Sequence, residues 1–313
     1  MAASGSKFAV FASIAANLGI ALLKFVASFF TGSSAMLSEG IHSVVDTTNG
    51  LLLLLGMKRG RIGPDAHHAF GRAKETYFWS FVVAIFLFAL GGGVALYEGI
   101  IRLLHGHAAP EDSGAATNLI WNYGVLAGAT IFEGISLWIA WKEFRKQHPK
   151  GFKSALVASK DTVNLAVIIE NMAALAGLFI AFAGVTLSHL FDNPVYDAWA
   201  SILIGVVMSY VAYFMASETR ELLIGESVTQ EDLERLDAIL ESYPEIEVFG
   251  NIRTMHLGPD TVVVAMEANF RDDLTVPEVE HLIAEIKERI RALDPKYKFI
   301  YIEANSIRNP DFN

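Results

Sequence analysis

The 313 residues contain no cysteine. That excludes thiolate metal sites, disulfide frameworks and cysteine nucleophiles. Charge is also scarce: 19% of residues are charged, against about a quarter in a typical soluble domain. The scarcity is uneven. Residues 217–313 hold 21 acidic and 10 basic side chains, so the net charge of −10 belongs to that stretch. Residues 1–216 are apolar and nearly neutral, and between 161 and 216 there is no lysine or arginine at all. HExxH and GxSxG patterns are absent, so nothing argues for a membrane enzyme. The acidic part offers no basic face to nucleic acid. The composition therefore divides the chain into a membrane domain, residues 1–216, and a soluble domain, residues 217–313.

What is present is apolar length. A helix needs about 20 apolar residues to cross the hydrocarbon core. Six runs qualify, near 8–30, 35–57, 77–104, 118–141, 162–187 and 195–216. The first has no small-residue cleavage site and reads as a span rather than a signal peptide. Lysine and arginine collect in two loops, 58–76 and 142–160, and are missing from 31–34, 105–117 and 188–194. Cytosolic loops attract such residues, so both termini are expected in the cytosol.

The acidic domain shows an α-β-β-α-β pattern, an α+β ferredoxin-like layer. "TQEDLERLDAILESY" is a helix opened by Thr229 with acids in its first turn. "VFGNIRTMHLG" and "DTVVVAMEANF" read as two strands joined by a Gly-Pro-Asp turn. "VPEVEHLIAEIKERIRAL" is a second helix with Pro277 in its first turn, and "KFIYIEAN" is a last strand. A domain this small has a thin core, which dimerisation would supplement.

The second span, "AMLSEGIHSVVDTTNGLLLLLGM", carries Glu39, His42 and Asp46. Ionisable groups in lipid are costly and face a bundle interior or a water path. His42 and Asp46 are four apart and share a helical face. They form half of a tetrahedral zinc-type site or a pair that packs two helices. Glu39, one turn earlier, reads as a vestibule or interfacial residue. The fifth span, "SKDTVNLAVIIENMAALAG", supplies Asp161, Asn164, Glu170 and Asn171. Asp161 stands at the cytosolic boundary, where it can also cap the helix. Glu170 is deep and, with no basic partner on its span or the next, calls for a metal ion or a proton. In the loop "PDAHHAFGRAKE", Asp65 and His68 are close enough to share a cation or simply to be solvated; Arg72 and Lys74 serve topology. Small residues such as Ala35, Gly40, Gly50, Ala173, Ala174 and Gly177 allow either static close packing or helix repacking.

These features together resemble a cation diffusion facilitator: six spans, "SEGIHSVVDTTNG", "HHAFGRAKE", "YDAWASILIG" and the α-β-β-α-β tail. The resemblance covers nearly the whole chain. It implies a homodimer in the lipid bilayer that exchanges a divalent metal for protons, with no prosthetic group. It also implies a mid-membrane site built from the second and fifth spans. His42 and Asp46 match the first half. In the second half the usual aspartate falls on Asn171 and the usual histidine on Val167, so Glu170 is the expected substitute. An acidic residue directly before the usual aspartate position looks like the subgroup that includes the mitochondrial zinc transporter of animals, although this chain has Glu-Asn where that frame has Glu-Asp. The resulting set, His42, Asp46, Glu170 and Asn171, has one nitrogen and otherwise oxygens. Zinc is the first expectation, with manganese or iron(II) next.

In the loop, Asp65 and His68 stand at two family positions, with Arg72 where a third histidine is usual; with Asp161 and Asn164 they make a secondary or entry set. In the tail, usual ligand positions hold Gly250, Ala265 and Tyr301, with His281 and Glu303 retained, so the tail is expected to dimerise without a strong metal cluster. A bacterial-type inner or plasma membrane is the first expectation for location, an organelle membrane the second. The rival reading is a non-transporting dimeric membrane metal sensor or scaffold.

Overall fold

The computed structural model describes residues 2–31, 34–105, 115–147, 162–193 and 195–305. Asp161 lies outside them, as do the side chains of Glu39 and His42. The apolar runs become long helices: α1 (Ala2–Thr31), α2 (Ser34–Arg59), α3 (Glu75–Phe86), α4 (Val94–His105), α5 (Ala115–Gln147), α6 (Thr162–Leu190) and α7 (Val195–Ile224). α3 and α4 are one rod joined through Leu87–Gly93, which winds as a π-helix. Among the described residues, four stretches are long and apolar enough to cross a membrane: Glu75–Leu104, Tyr123–Lys146, Val163–Leu190 and Val195–Ile224. A shorter apolar run, Val10–Val26, lies in α1.

The chain forms two compact units. The first comprises residues 1–59 and 78–219. Its core joins Leu53 of α2, Val83 of α3, Phe144 of α5, Val163, Val167 and Ile168 of α6, and Met215 of α7. Phe29, Phe179 and Tyr213 stand on the outside, each more than two-thirds exposed. Large apolar groups outside and polar groups inside are what a bundle in lipid requires, since its backbone bonds are all internal. Two glycines let the α3–α4 rod and α7 approach each other. A Cβ on Gly99 would come within 2.6 Å of Ile202 Cγ1, and one on Gly205 within 2.6 Å of Leu96 Cγ. Small residues at such crossings permit close backbone packing.

The second unit comprises residues 60–77 and 220–313. It contains α8 (Gln230–Glu241), β1 (Ile246–Phe249), β2 (Arg253–Gly258), β3 (Thr261–Phe270), α9 (Val276–Leu293) and β4 (Tyr297–Ala304). Thr229 caps α8, its side chain accepting from the Asp232 N–H at 3.3 Å. Thr275 and Glu278 form a capping box on α9, with proline in the first turn. Alternate residues Val262, Val264, Met266 and Ala268 of β3 are buried, and Leu236 and Leu240 of α8 and Ile286 and Ile290 of α9 cover them. That is the period-two pattern of a strand with one face on helices.

The sheet departs from the expected strand count. The stretch read as one strand, 248–258, is two. β2 pairs antiparallel with the first half of β3, through Arg253 opposite Ala265. β1 pairs antiparallel with its end, through Phe249 opposite Ala268. β4 runs parallel to β3 from Tyr297 to Ala304 and takes the other edge. Across the break at Gly250–Ile252 the strand carries one residue more than β3 opposite it, so the alternation changes phase: Phe249 lies opposite Ala268 and Arg253 opposite Ala265, a bulge-like irregularity of the kind edges tolerate. The basic loop belongs to this unit. Phe70 meets Phe299 edge-on with ring centroids 5.1 Å apart, and Lys74 Nζ donates to the Leu223 carbonyl at 3.2 Å.

Candidate metal-binding site

Helical periodicity gathers the polar residues of the first unit into stripes. On α1, Ser13, Asn17 and Lys24 recur at four and seven residues and are all buried. On α2, Ser43, Asp46 and Asn49 recur every three residues; Ser43 and Asn49 are buried and Asp46 is half-buried. On α5, Glu133 and Ser136 are buried. On α6, Asn164, Glu170 and Asn171 are buried.

Hydrogen bonds knit the stripes together. Lys24 Nζ donates to Ser43 Oγ at 3.0 Å, tying α1 to α2. Asn49 Nδ2 donates to Glu170 Oε1 at 3.4 Å, tying α2 to α6. Ser13 Oγ donates to Asn171 Oδ1 at 3.5 Å, and Asn171 Nδ2 donates to Ser136 Oγ at 2.7 Å. Glu170 and Asn171 are neighbours on a helix, about 100° apart around its axis. Glu170 therefore turns toward α2 while Asn171 is engaged by α1 and α5.

A cavity of about 340 Å³ opens beside this cluster. Lys24, Ser43, Asp46 and Glu133 line its inner end, and Glu98, Arg102 and Asp197 line the other. Arg102 and Asp197 pair at 2.6 Å between α4 and α7. They stand near the C-terminus of α4 and the N-terminus of α7. The cavity thus runs from mid-bundle toward the end that carries the α6–α7 turn. Its wall between the two charged ends is smooth, with Ala174, Gly177, Ala181 and Ala200.

The sequence-derived candidates fall as follows. Asp46 faces the cavity. Glu170 is buried beside it, held by Asn49, and both Asp46 and Glu133 act on it electrostatically. His42 lies one turn before Asp46 on α2, with its side chain outside the described residues. Both polar ends of Asn171 are bonded within the bundle. Asn164 is fully buried. Val167, at the position of the family histidine, is in the apolar core with Leu53 and Val163 and offers no donor. Among the described residues, no three histidine, aspartate or glutamate side chains are grouped to hold a metal ion.

Sequence reasoning missed Lys24, Asn49 and Glu133, along with the smaller polar residues Ser13, Asn17, Ser43 and Ser136. Glu133 and Lys24 each interrupt an apolar run alone, the same signal that singled out Glu170. Asn49 carries no such mark.

The loop candidates sit in the second unit. Asp65 Oδ1 accepts from the N–H groups of His67 at 2.8 Å and His68 at 2.7 Å. Its Oδ2 pairs with Arg72 at 3.0 Å. His68 Nδ1 stands 3.2 Å from Asp65 Oδ1. The His67 N–H, with help from His68 and Arg72, holds the Asp65 carboxyl down at about 2. Every acceptor of this carboxylate already has a donor.

Comparison with known proteins agrees with this architecture. The cation efflux transmembrane domain matches residues 10–224. The cytoplasmic domain of cation efflux proteins matches residues 228–306. The chain belongs to the cation efflux family and is a multi-pass membrane protein with a C-terminal cytoplasmic domain. Its relatives include the mitochondrial proton-coupled zinc antiporter SLC30A9 of mouse, 32% identical over 85% of this chain and 47% of that protein. Metal tolerance protein C4 of Arabidopsis thaliana is 29% identical over 87% of this chain and 58% of its own length. The cation-efflux pump FieF of Citrobacter koseri is 23% identical over 91% of this chain and 87% of its own length. The chain spans about half the length of the SLC30A9 relatives it matches.

Proposed function

We propose that this chain is a secondary transporter, not an enzyme, that moves a divalent cation out of the cytosol in exchange for protons. The observation that carries the reading is Asp46. It is a carboxylate half-buried in a membrane bundle, facing a cavity, with Glu170 buried beside it. Charges placed inside a membrane bundle in this way mark substrate or proton paths.

In this reading the cation binds between α2 and α6, through His42, Asp46 and Glu170, with Asn171 supporting the site from the α1 and α5 side. Protons compete for the same ligands, because imidazole and carboxylate must be deprotonated to hold metal. An imidazole titrates near about 6.5, so an acidic far side favours release. The cavity leads away from the cluster toward the α6–α7 end, the face opposite the basic loops and so outside the cytosol by the charge rule. Zinc is the foremost substrate: one nitrogen with carboxylates suits it, and the SLC30A9 relatives are named as zinc antiporters. Manganese and iron(II) follow. Both termini are cytosolic, the C-terminal domain makes the homodimer, and its excess of acidic residues draws cations to the entry side. A bacterial-type inner or plasma membrane is the first assignment, an organelle membrane the second.

The test is reconstitution in proteoliposomes with an imposed pH gradient, reading zinc and manganese flux. Gradient-driven flux is expected in the wild type and a loss of about a hundredfold or more in Asp46→Ala. Equal flux in both, from well-assembled protein, would make Asp46 a structural residue. Tight metal binding by a protein that transports nothing would instead support a sensor.

A further inference from the structure

The cavity has a carboxylate that the α2–α6 site does not use. Glu133 stands in the middle of α5, within "IFEGISLW". It is only 6% exposed, it lines the cavity, and its Oε2 has no hydrogen-bond partner among the described residues. A buried carboxylate oxygen without a donor is costly unless a cation or a proton meets it. Two charged groups of the same cavity act on Glu133: Asp46, a second carboxylate, and Lys24, a cation. Lys24 is itself buried and is anchored by Ser43 at 3.0 Å. One ammonium thus faces two carboxylates across a space wide enough for water.

That arrangement is suited to a divalent ion in transit. Two carboxylates and cavity water make an all-oxygen shell, completed by solvent rather than by a closed protein cage. Lys24 is a compact charge on a flexible stem. It can withdraw when a divalent ion arrives and return when the ion departs. We propose that Glu133 is a cation ligand on the release path, taking the ion together with Asp46 as it leaves the α2–α6 site, while Lys24 replaces the ion's charge in the emptied cavity. The proposal rests on the transport reading above. It adds a station on α5 and gives it a preference. An oxygen-only station helps harder ions such as manganese relatively more than zinc, which keeps the nitrogen donor at its own site.

The experiment compares Glu133→Gln, Lys24→Gln and Asp46→Ala in the full-length protein in proteoliposomes, with zinc and manganese as probes. Glu133→Gln is expected to raise the KM for manganese by about tenfold or more, and that for zinc by less, with Glu133→Asp restoring most of the loss. Lys24→Gln is expected to lower KM for both ions, because the built-in competitor is gone. If Glu133→Gln keeps wild-type KM values and an unchanged manganese-to-zinc ratio while Asp46→Ala is dead, Glu133 is a packing residue and this inference fails alone. If Asp46→Ala still transports, the reading beneath it fails as well. Should Glu133→Gln not assemble, an unchanged KM in Lys24→Gln overturns the proposal.

Discussion

Asp46 and Asp65 share a local grammar: each has a histidine within one helical turn, His42 four residues before the first and His68 three after the second. Their surroundings are opposite. Asp65 receives two backbone N–H groups and a guanidinium from its own loop, so the chain supplies its cation. Asp46 faces a cavity in company with Glu133 and beside Glu170, and the nearest buried cation is Lys24. A histidine–aspartate spacing is therefore not a site in itself. What separates the two is placement: one carboxylate is closed by its own loop, the other is half-buried in a bundle and lines a cavity.

That contrast can be broken. Beyond Asp46 itself, the largest effect is expected at Glu170. Glu170→Gln keeps the shape against Asn49 and removes the charge, so gradient-driven zinc flux should fall by about tenfold or more. Wild-type flux in that variant would turn Glu170 into a packing residue and leave Asp46 without its partner across the helices. The reverse experiment opens the loop. Arg72→Ala, made in the Asp46→Ala background, should create weak zinc binding at Asp65, His67 and His68, measured by calorimetry. No gain over the background would mean that the backbone amides alone close that carboxylate.

Acid sharpens the same comparison. The folded Asp65 carboxyl sits at about 2, below the ordinary value of about 3.9. A depressed value means that its stabilising contact is present above the ordinary carboxylate range and is lost as pH falls from about 4 toward about 2. The His67 and His68 amide resonances should shift in that window and stop doing so in Asp65→Asn. Amides that are silent there in the wild type would remove the turn. The smallest effect is expected at His68, an exposed side chain beside an already satisfied carboxylate. His68→Ala should change transport by less than about twofold, and a larger loss would restore the loop as an entry site.

The helices of the membrane unit were legible because length and apolarity alone specify them. The caps at Thr229 and at Thr275 with Glu278 were legible because capping is local chemistry. The split of the first strand at Gly250–Ile252 was not, since the extra residue that shifts its register shows only in the pairing with β3. Asp46 and Glu170 stood out as isolated charges in apolar runs. Glu133 and Lys24 carried the same mark, but no histidine stood nearby to draw attention to them. The engagement of Asn171 by Ser13 and Ser136 could not be read from any spacing, because it joins residues 158 and 35 positions apart. An ionisable residue set within an apolar run is the more general signal, and histidine spacing is a refinement of it.

The π-helical turn at Leu87–Gly93 has a further meaning for the cavity. Such a turn accommodates about one residue more than an α-helix does. Each α-helical residue advances about 100° around the axis. The rod therefore changes phase partway along. The face that buries Val83 and Leu87 in the core at one end is not the face that carries Glu98 and Arg102 at the other. The turn works as a phase shifter: it lets a single rod be core on one level and cavity lining on the next. Its length is then a tuning parameter, because taking one residue out of the segment would turn Arg102 away from Asp197, and Glu98 with it, without substituting any side chain of the cavity.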